Sequence, residues 1–311
     1  MRLRSLGLGL AGGLVATAVG NRVVAERSSP VGPALSGTQR TYRWRDFDVA
    51  YTTAGDPSHP DVVLVHGLHA AASSREFAGV FHALAARHHV IAIDLLGFGG
   101  SDRPPIRYTG ALYEALLREF LAAVPSSPVV IASSLSGSLV AVAARDVPDS
   151  SVVLVVPTDE TGPRSLALRE LFRAPVVGQG LFNLLVSRPS LRYFDRSMAY
   201  FDSAAVDDAI VDTQHRTAHA KNARFAPASF VGGYLTPTEP LEESLAAYTG
   251  PVTIAWGREA TRPPLSVGRD LAATVDADLV AIDRTALLPH DERPNAFLSA
   301  IAAALPRLED D

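Results

Sequence analysis

Serine at position 134 has the surroundings that a nucleophile needs. An apolar, β-branched run, Val129-Val130-Ile131-Ala132, leads to Ser133 and Ser134, and a helical pattern starts at once in Leu135-Ser136-Gly137-Ser138-Leu139-Val140-Ala141. That order reads as strand, sharp turn and helix, with Ser134 at the apex. Such a turn strains the central residue and crowds the positions two before and two after it, so only small side chains fit there. Here they are Ala132 and Ser136. A plain turn with a capping serine would look similar, and two further stretches argue against it. Val62-Val63-Leu64-Val65-His66-Gly67-Leu68-His69 is a buried strand that runs into His-Gly, a loop start whose backbone N–H groups can face a developing oxyanion. Ile91-Ala92-Ile93-Asp94 is a third strand, followed by the Gly-rich turn Gly97-Phe98-Gly99-Gly100-Ser101.

In this order and spacing the three stretches resemble the α/β-hydrolase superfamily, in particular its esterase, haloperoxidase and pheophytinase-like members. The likeness runs over about residues 42 to 306 and is most specific at Asp94-x-x-Gly97-x-Gly99-x-Ser101. It implies an α/β fold, a mostly parallel sheet flanked by helices, with an inserted helical cap. It also implies serine hydrolysis of a small apolar carboxylic ester, thioester or amide, with no cofactor. Ser134 is then the nucleophile, and the backbone N–H groups of Leu68 and Leu135 are the oxyanion donors.

The base and its orienting acid depart from the family pattern. The resemblance places the base seven residues before the proline that opens the last helix; counted back from Pro294, that position is Leu287, and leucine carries no proton. His290, three residues later, falls on the pattern's second, non-catalytic histidine. The acid is expected three residues past Gly257, where Ala260 stands; Glu259 is one residue earlier, and Asp159 occupies the alternative place after the preceding strand. Three arrangements follow. His290 reaches Ser134 through a remodelled loop, oriented by Asp159 or Glu259; or His215 and His219, four apart on one helical face, reach it instead; or Ser134 has no base, and the pocket binds an apolar ligand or partner without turnover.

The other histidines carry less. His66 reads as a structural loop residue, and His69, His82, His88 and His89 as helix-surface or loop residues. His215 and His219 have metal-compatible spacing without a third ligand in a recognisable motif, so no metal site is assigned. The Gly-rich turn lacks the lysine of a phosphate-binding loop.

The elements that must position these residues alternate. A hairpin over Tyr42 to Ala54 precedes strand 62–65, a helix through Phe77 and Leu84, strand 89–93, a helix over 108–124, the Ser134 unit and strand 152–156. Strands alternating with helices predict a parallel sheet between helical layers. From 159 to 250 the alternation stops, in a stretch rich in aromatics that is expected to form the cap; strand 251–257, a helix, strand 279–282 and helix 294–305 resume it. The core is thus expected at 42–158 and 251–311, with residues 31–41 as a linker.

The 311 residues are 47% hydrophobic and 20% charged, the balance of an ordered globular protein. A net charge of −5 without basic runs in the body excludes a nucleic-acid partner. No cysteine is present, which removes disulfides, thiolate metal sites and a cysteine nucleophile. Arg2 and Arg4 precede an apolar, Gly-rich run from Ser5 to Gly20, short for a bilayer span and closer to a signal-peptide core or an anchor, with Ala16-Thr17-Ala18 as a cleavage site. The expectation is a membrane-associated or exported protein, with a frayed N-terminal helix on a cytoplasmic one as the alternative.

Overall fold

A computed structural model of the chain describes residues 32–147 and 149–306. The N-terminal apolar segment expected at 1–30 lies outside them. Among the described residues no helix is long and apolar enough to cross a membrane.

Eight strands form one sheet in the order β1-β2-β4-β3-β5-β6-β7-β8. β1 (Thr38–Trp44) and β2 (Phe47–Ala54) are an antiparallel hairpin whose turn places Arg45 at φ 51. β2 pairs antiparallel with β4 (His89–Ile93), and every later pairing is parallel. The parallel strands are β3 (Asp61–Val65), β4, β5 (Val129–Ser133), β6 (Ser151–Val155), β7 (Val252–Gly257) and β8 (Asp278–Ile282). Both faces of these strands are covered, so their residues are apolar throughout instead of alternating; Val62, Val63, Leu64 and Val65 are all fully buried. β1 begins at Thr38, inside the stretch expected to be linker. Its residues are mostly exposed, so burial gives no sequence signal there.

Helices cover the two faces: α1 (Ala78–Ala85), α2 (Gly110–Ala123) and α3 (Leu135–Ala143), then α10 (Leu265–Val275), α11 (Pro289–Glu292) and α12 (Pro294–Ala300). Thr109 starts α2 by accepting a hydrogen bond from Leu112 N–H, and the helix buries Tyr113, Leu116, Leu117 and Phe120. All nine residues of α3 are buried, which explains its run of small and aliphatic side chains. α10 approaches the sheet closely at Gly268, where a Cβ would come within 2.4 Å of the Trp256 ring.

Between β6 and β7 the described residues form helices and no strand: α4 (Leu166–Arg173), α5 (Val177–Leu185), α6 (Arg188–Phe194) with a π turn at Asp195–Ala199, α7 (Asp208–Ala218), α8 (Phe225–Val231) and α9 (Leu241–Ala246). Ser165 and Asp207 cap α4 and α7. Phe182, Val186, Leu191, Tyr200, Val206 and Val211 build a second, smaller core there, and Ala71 and Leu288 from the sheet side join it.

Candidate functional site

Because the strands run parallel, the residues that follow β3, β5 and β6 come to one edge of the sheet, where ligands bind in such folds. Ser134 lies between β5 and α3 with φ 53 and ψ −131, a region that costs a non-glycine residue roughly 1–3 kcal/mol. Its N–H is held by the carbonyl of Val155 at 2.9 Å. The neighbouring loop meets it closely: a Cβ on Gly67 would lie 3.4 Å from Ser134 Cβ, 3.4 Å from Ser133 Oγ and 3.6 Å from Glu76 Oε2. Ser136, where the usual elbow has glycine, donates its hydroxyl to the carbonyl of His66 at 2.7 Å. The larger residue is therefore accommodated by a bond across to the adjacent strand.

Leu68 and Leu135, the residues expected to supply backbone donors, follow β3 and β5. Leu135 opens α3, so its N–H has no carbonyl four residues back within the helix. Leu68 N–H makes no backbone hydrogen bond among the described residues. The loop that carries Leu68 is fixed at both sides. His66 Nε2 accepts from Leu95 N–H at 3.0 Å, which leaves the proton on Nδ1, and Nδ1 donates to the Gly67 carbonyl at 2.7 Å. Glu76 Oε2 accepts from Gly67 N–H at 3.0 Å. Asp94 is structural in the same way: its two oxygens accept from Ser74 N–H at 2.7 Å and Gly100 N–H at 2.8 Å.

Ser134 Oγ makes no hydrogen bond to an imidazole among the described residues, and His290 is fully buried. The His290 ring stacks on Phe77 with centroids 4.6 Å apart, meets Phe297 at 5.7 Å, and places Nε2 at 3.4 Å from Glu76 Oε1 without hydrogen-bond geometry. Neither ring nitrogen has a hydrogen-bond partner. The expected pairing of His290 with Asp159 or Glu259 is corrected accordingly. Asp159 accepts from Leu241 N–H at 2.9 Å and so fastens the start of α9, and Glu259 accepts from Thr285 N–H at 3.0 Å and holds the loop after β8. Two phenyl rings surround His290, and the Glu76 carboxylate lies beside it.

Leu287, at the position expected for the base, donates its N–H to the Ala199 carbonyl at 3.0 Å and packs its side chain against the main core. Glu292 continues this junction, accepting from Ala286 N–H at 2.6 Å and Phe201 N–H at 2.7 Å. Ala260 is buried. His215 and His219 stack on each other, centroids 4.0 Å apart, and His219 Nδ1 bonds the His215 carbonyl at 2.7 Å. Burial, then the neighbouring His219 charge, pushes the His215 ring down to about 4. Among the described residues no group of three or more ligating side chains could hold a metal ion.

Glu76 is the residue that the sequence did not single out. Burial would raise its carboxyl, but contact with His290, then the neighbouring His66 and His69 rings, outweigh that and leave it below its ordinary value. Burial lowers His69, against the opposing pull of Glu76. The one sequence clue was an acid inside Ser74-Arg75-Glu76-Phe77, directly ahead of an apolar helix. Beyond Glu76 lies a cavity of about 40 Å³, room for a water, lined among others by His69, Arg75, Tyr200 and Asp291. The Tyr200 hydroxyl donates to Asp291 there.

Residues 62–300 match the sequence profile of the alpha/beta hydrolase family. The chain belongs to that family. An uncharacterized protein of Mycobacterium tuberculosis is 36% identical over 120 residues, which are 37% of this chain and 34% of the relative. The chain thus spans about a third of the length of the curated relatives it matches. Among solved structures, a serine hydrolase involved in carbazole degradation superposes with a TM-score of 0.69 at 20% identity, covering 86% of this chain and 97% of that one. A bromoperoxidase from Bacillus anthracis gives 0.68 at 17% identity, covering 86% and 99%. At these identities the likeness is one of fold.

Within this alpha/beta hydrolase the strained serine therefore stands at the sheet edge, directly before the first turn of α3, and its Oγ is hydrogen-bonded to no imidazole among the described residues. Such an arrangement can receive a carbonyl or carboxylate oxygen at the N-terminus of α3, where the helix dipole favours negative charge.

Proposed function

We propose that this alpha/beta hydrolase-fold protein binds a small apolar ligand bearing a carbonyl or carboxylate group at Ser134, held by the N–H groups of Leu68 and Leu135. Presented with an ester, it turns it over far more slowly than a serine with a base. The observation that carries this reading is the unpartnered Ser134 Oγ, with His290 stacked against Phe77 and beside Glu76 instead. Loss of the base from a serine triad costs on the order of 10⁶ in rate. The aromatic-rich helices between β6 and β7 act as the cap that shapes the apolar part of the site.

The retained strain at Ser134 favours a second reading, the hydrolysis of a small apolar carboxylic ester, thioester or amide with Ser134 as nucleophile. A fluorophosphonate probe separates the two, because it labels only activated serines. Binding without turnover predicts no labelling of Ser134 under conditions that label a serine hydrolase with a complete triad. It also predicts saturable binding of octanoate by calorimetry, lost in Ser134→Leu. Labelling that disappears in Ser134→Ala would reject this proposal in favour of the hydrolytic one.

A further inference from the structure

Solvent-exposed large apolar side chains are not scattered over this molecule. Eight of the nine among the described residues lie between Leu166 and Phe201, and the ninth is Val267. Leu184 is 70% exposed and Tyr193 67%, with Leu166, Phe194, Met198 and Phe201 also on the surface. On α5 apolar side chains face both ways: Phe182, and Val186 just past the helix end, point into the small core while Leu184 faces water; on α6, Leu191 is inside while Tyr193 and Phe194 are outside. A run of large apolar side chains left facing water marks a surface that something covers. The helices that carry the set are also neighbours, since α4 packs on α5, α5 on α6, and α6 runs directly into the π turn.

The charge on this segment differs from the rest of the chain. Between 164 and 201 there are six arginines, Arg164, Arg169, Arg173, Arg188, Arg192 and Arg196, against Glu170 and Asp195, in a protein of net charge −5. Asp195 is buried and shows little charge outward. Arg188 and Arg192 pair with Asp212 and Asp208 of α7, and Arg173 and Arg169 adjoin Glu170. Arg164 and Arg196 are exposed and have no carboxylate partner among the described residues. A face of leucine, aromatic rings and unpaired guanidinium groups matches an interface with acyl chains below and anionic headgroups around it. Tyr193 and Phe194, edge to face at 5.7 Å, are residue types that settle at that depth. A second copy fits less well, because a two-fold contact would bring this positively charged patch against an identical patch.

We propose that the outer face of the helices between Leu166 and Phe201 docks on an anionic lipid bilayer. The contact lies on the surface of the bilayer and uses neither Ser134 nor residues 1–31. The test is co-sedimentation of the full chain with vesicles of phosphatidylcholine, alone or mixed with phosphatidylglycerol. The wild type is expected to partition onto the mixed vesicles more strongly than onto the neutral ones, and less strongly as salt rises. The triple variant Leu184→Ser, Tyr193→Ser, Phe194→Ser, at exposed positions, should lose about tenfold or more of that partition while its unfolding midpoint stays within a few degrees. Arg164→Gln with Arg196→Gln should lose about fivefold per arginine on mixed vesicles and nothing on neutral ones. Three outcomes overturn the proposal: no binding of the wild type to either vesicle, binding that the triple variant retains, or a soluble dimer that the triple variant dissociates in place of vesicle binding.

Discussion

Glu76 Oε1 lies 3.4 Å from His290 Nε2, and the other oxygen of the same carboxylate accepts the N–H of Gly67, the residue pressed against Ser134. One buried acid thus joins the only histidine of the β8 loop to the loop that carries a proposed oxyanion donor. Glu76→Gln keeps the shape and the bond from Gly67 but removes the charge beside His290, and should cost about 1–3 kcal/mol at neutral pH. The Glu76 carboxyl is held below its ordinary value of 4.5, so its contribution is present above that pH and is lost as pH falls through the folded value. Denaturant unfolding of both proteins at a series of pH values checks this. A gap between them that persists unchanged well below pH 4 would contradict it.

Asp195 gives the opposite sign. Burial, reinforced by Asp291 and opposed by Gln214, pushes its carboxyl from 3.8 up to about 6. The folded protein prefers it protonated, so this group favours folding most below its unfolded value, and that advantage is lost as pH rises from about 4 through about 6. Asp195→Asn should flatten the stability profile across that interval, by an amount on the order of 2–3 kcal/mol. Thermal unfolding of wild type and variant between pH 4 and pH 7 measures it. Parallel curves would show that the group ionises freely in the fold.

Counting back from Pro294 puts the family's base at Leu287, and counting on from Gly257 puts its acid at Ala260. The double substitution Leu287→His with Ala260→Asp should therefore make Ser134 reactive toward a fluorophosphonate probe, where the wild type is not. Each single substitution should give much less, since an unoriented imidazole is a poor base. Absence of labelling in a double variant that still unfolds cooperatively would mean that Leu287 is not within reach of the serine.

Ser136 tests the elbow itself. Its hydroxyl bonds the His66 carbonyl at 2.7 Å in a fully buried site, so Ser136→Ala leaves that carbonyl without this donor and should cost about 1–2 kcal/mol. Chemical denaturation gives the number directly. A loss no larger than that of an exposed serine would indicate that the bond contributes nothing.

The strand-turn-helix at Ser134 could be read from the chain because local pattern determines it: a buried parallel strand is apolar without interruption, and a tight apex needs small neighbours. The first part of β1, ahead of Tyr42, could not, since exposed edge residues such as Gln39 and Arg40 have no burial pattern to betray them. The environment of His290 was also hidden. Its position relative to Pro294 is a matter of spacing, but its partner is 214 residues away in the chain, and nothing local to Glu76 says that the two will meet in the interior. Asp159 and Glu259 illustrate the same limit. Their carboxylates were candidates by position along the chain, and each instead accepts a backbone N–H that only the folded neighbourhood supplies.

The bond from Ser136 to His66 stitches together the two backbone segments that end in Leu135 and Leu68. In the proposed site the two loops are thereby tied to each other before an oxygen arrives, so its hold should come at small entropic cost.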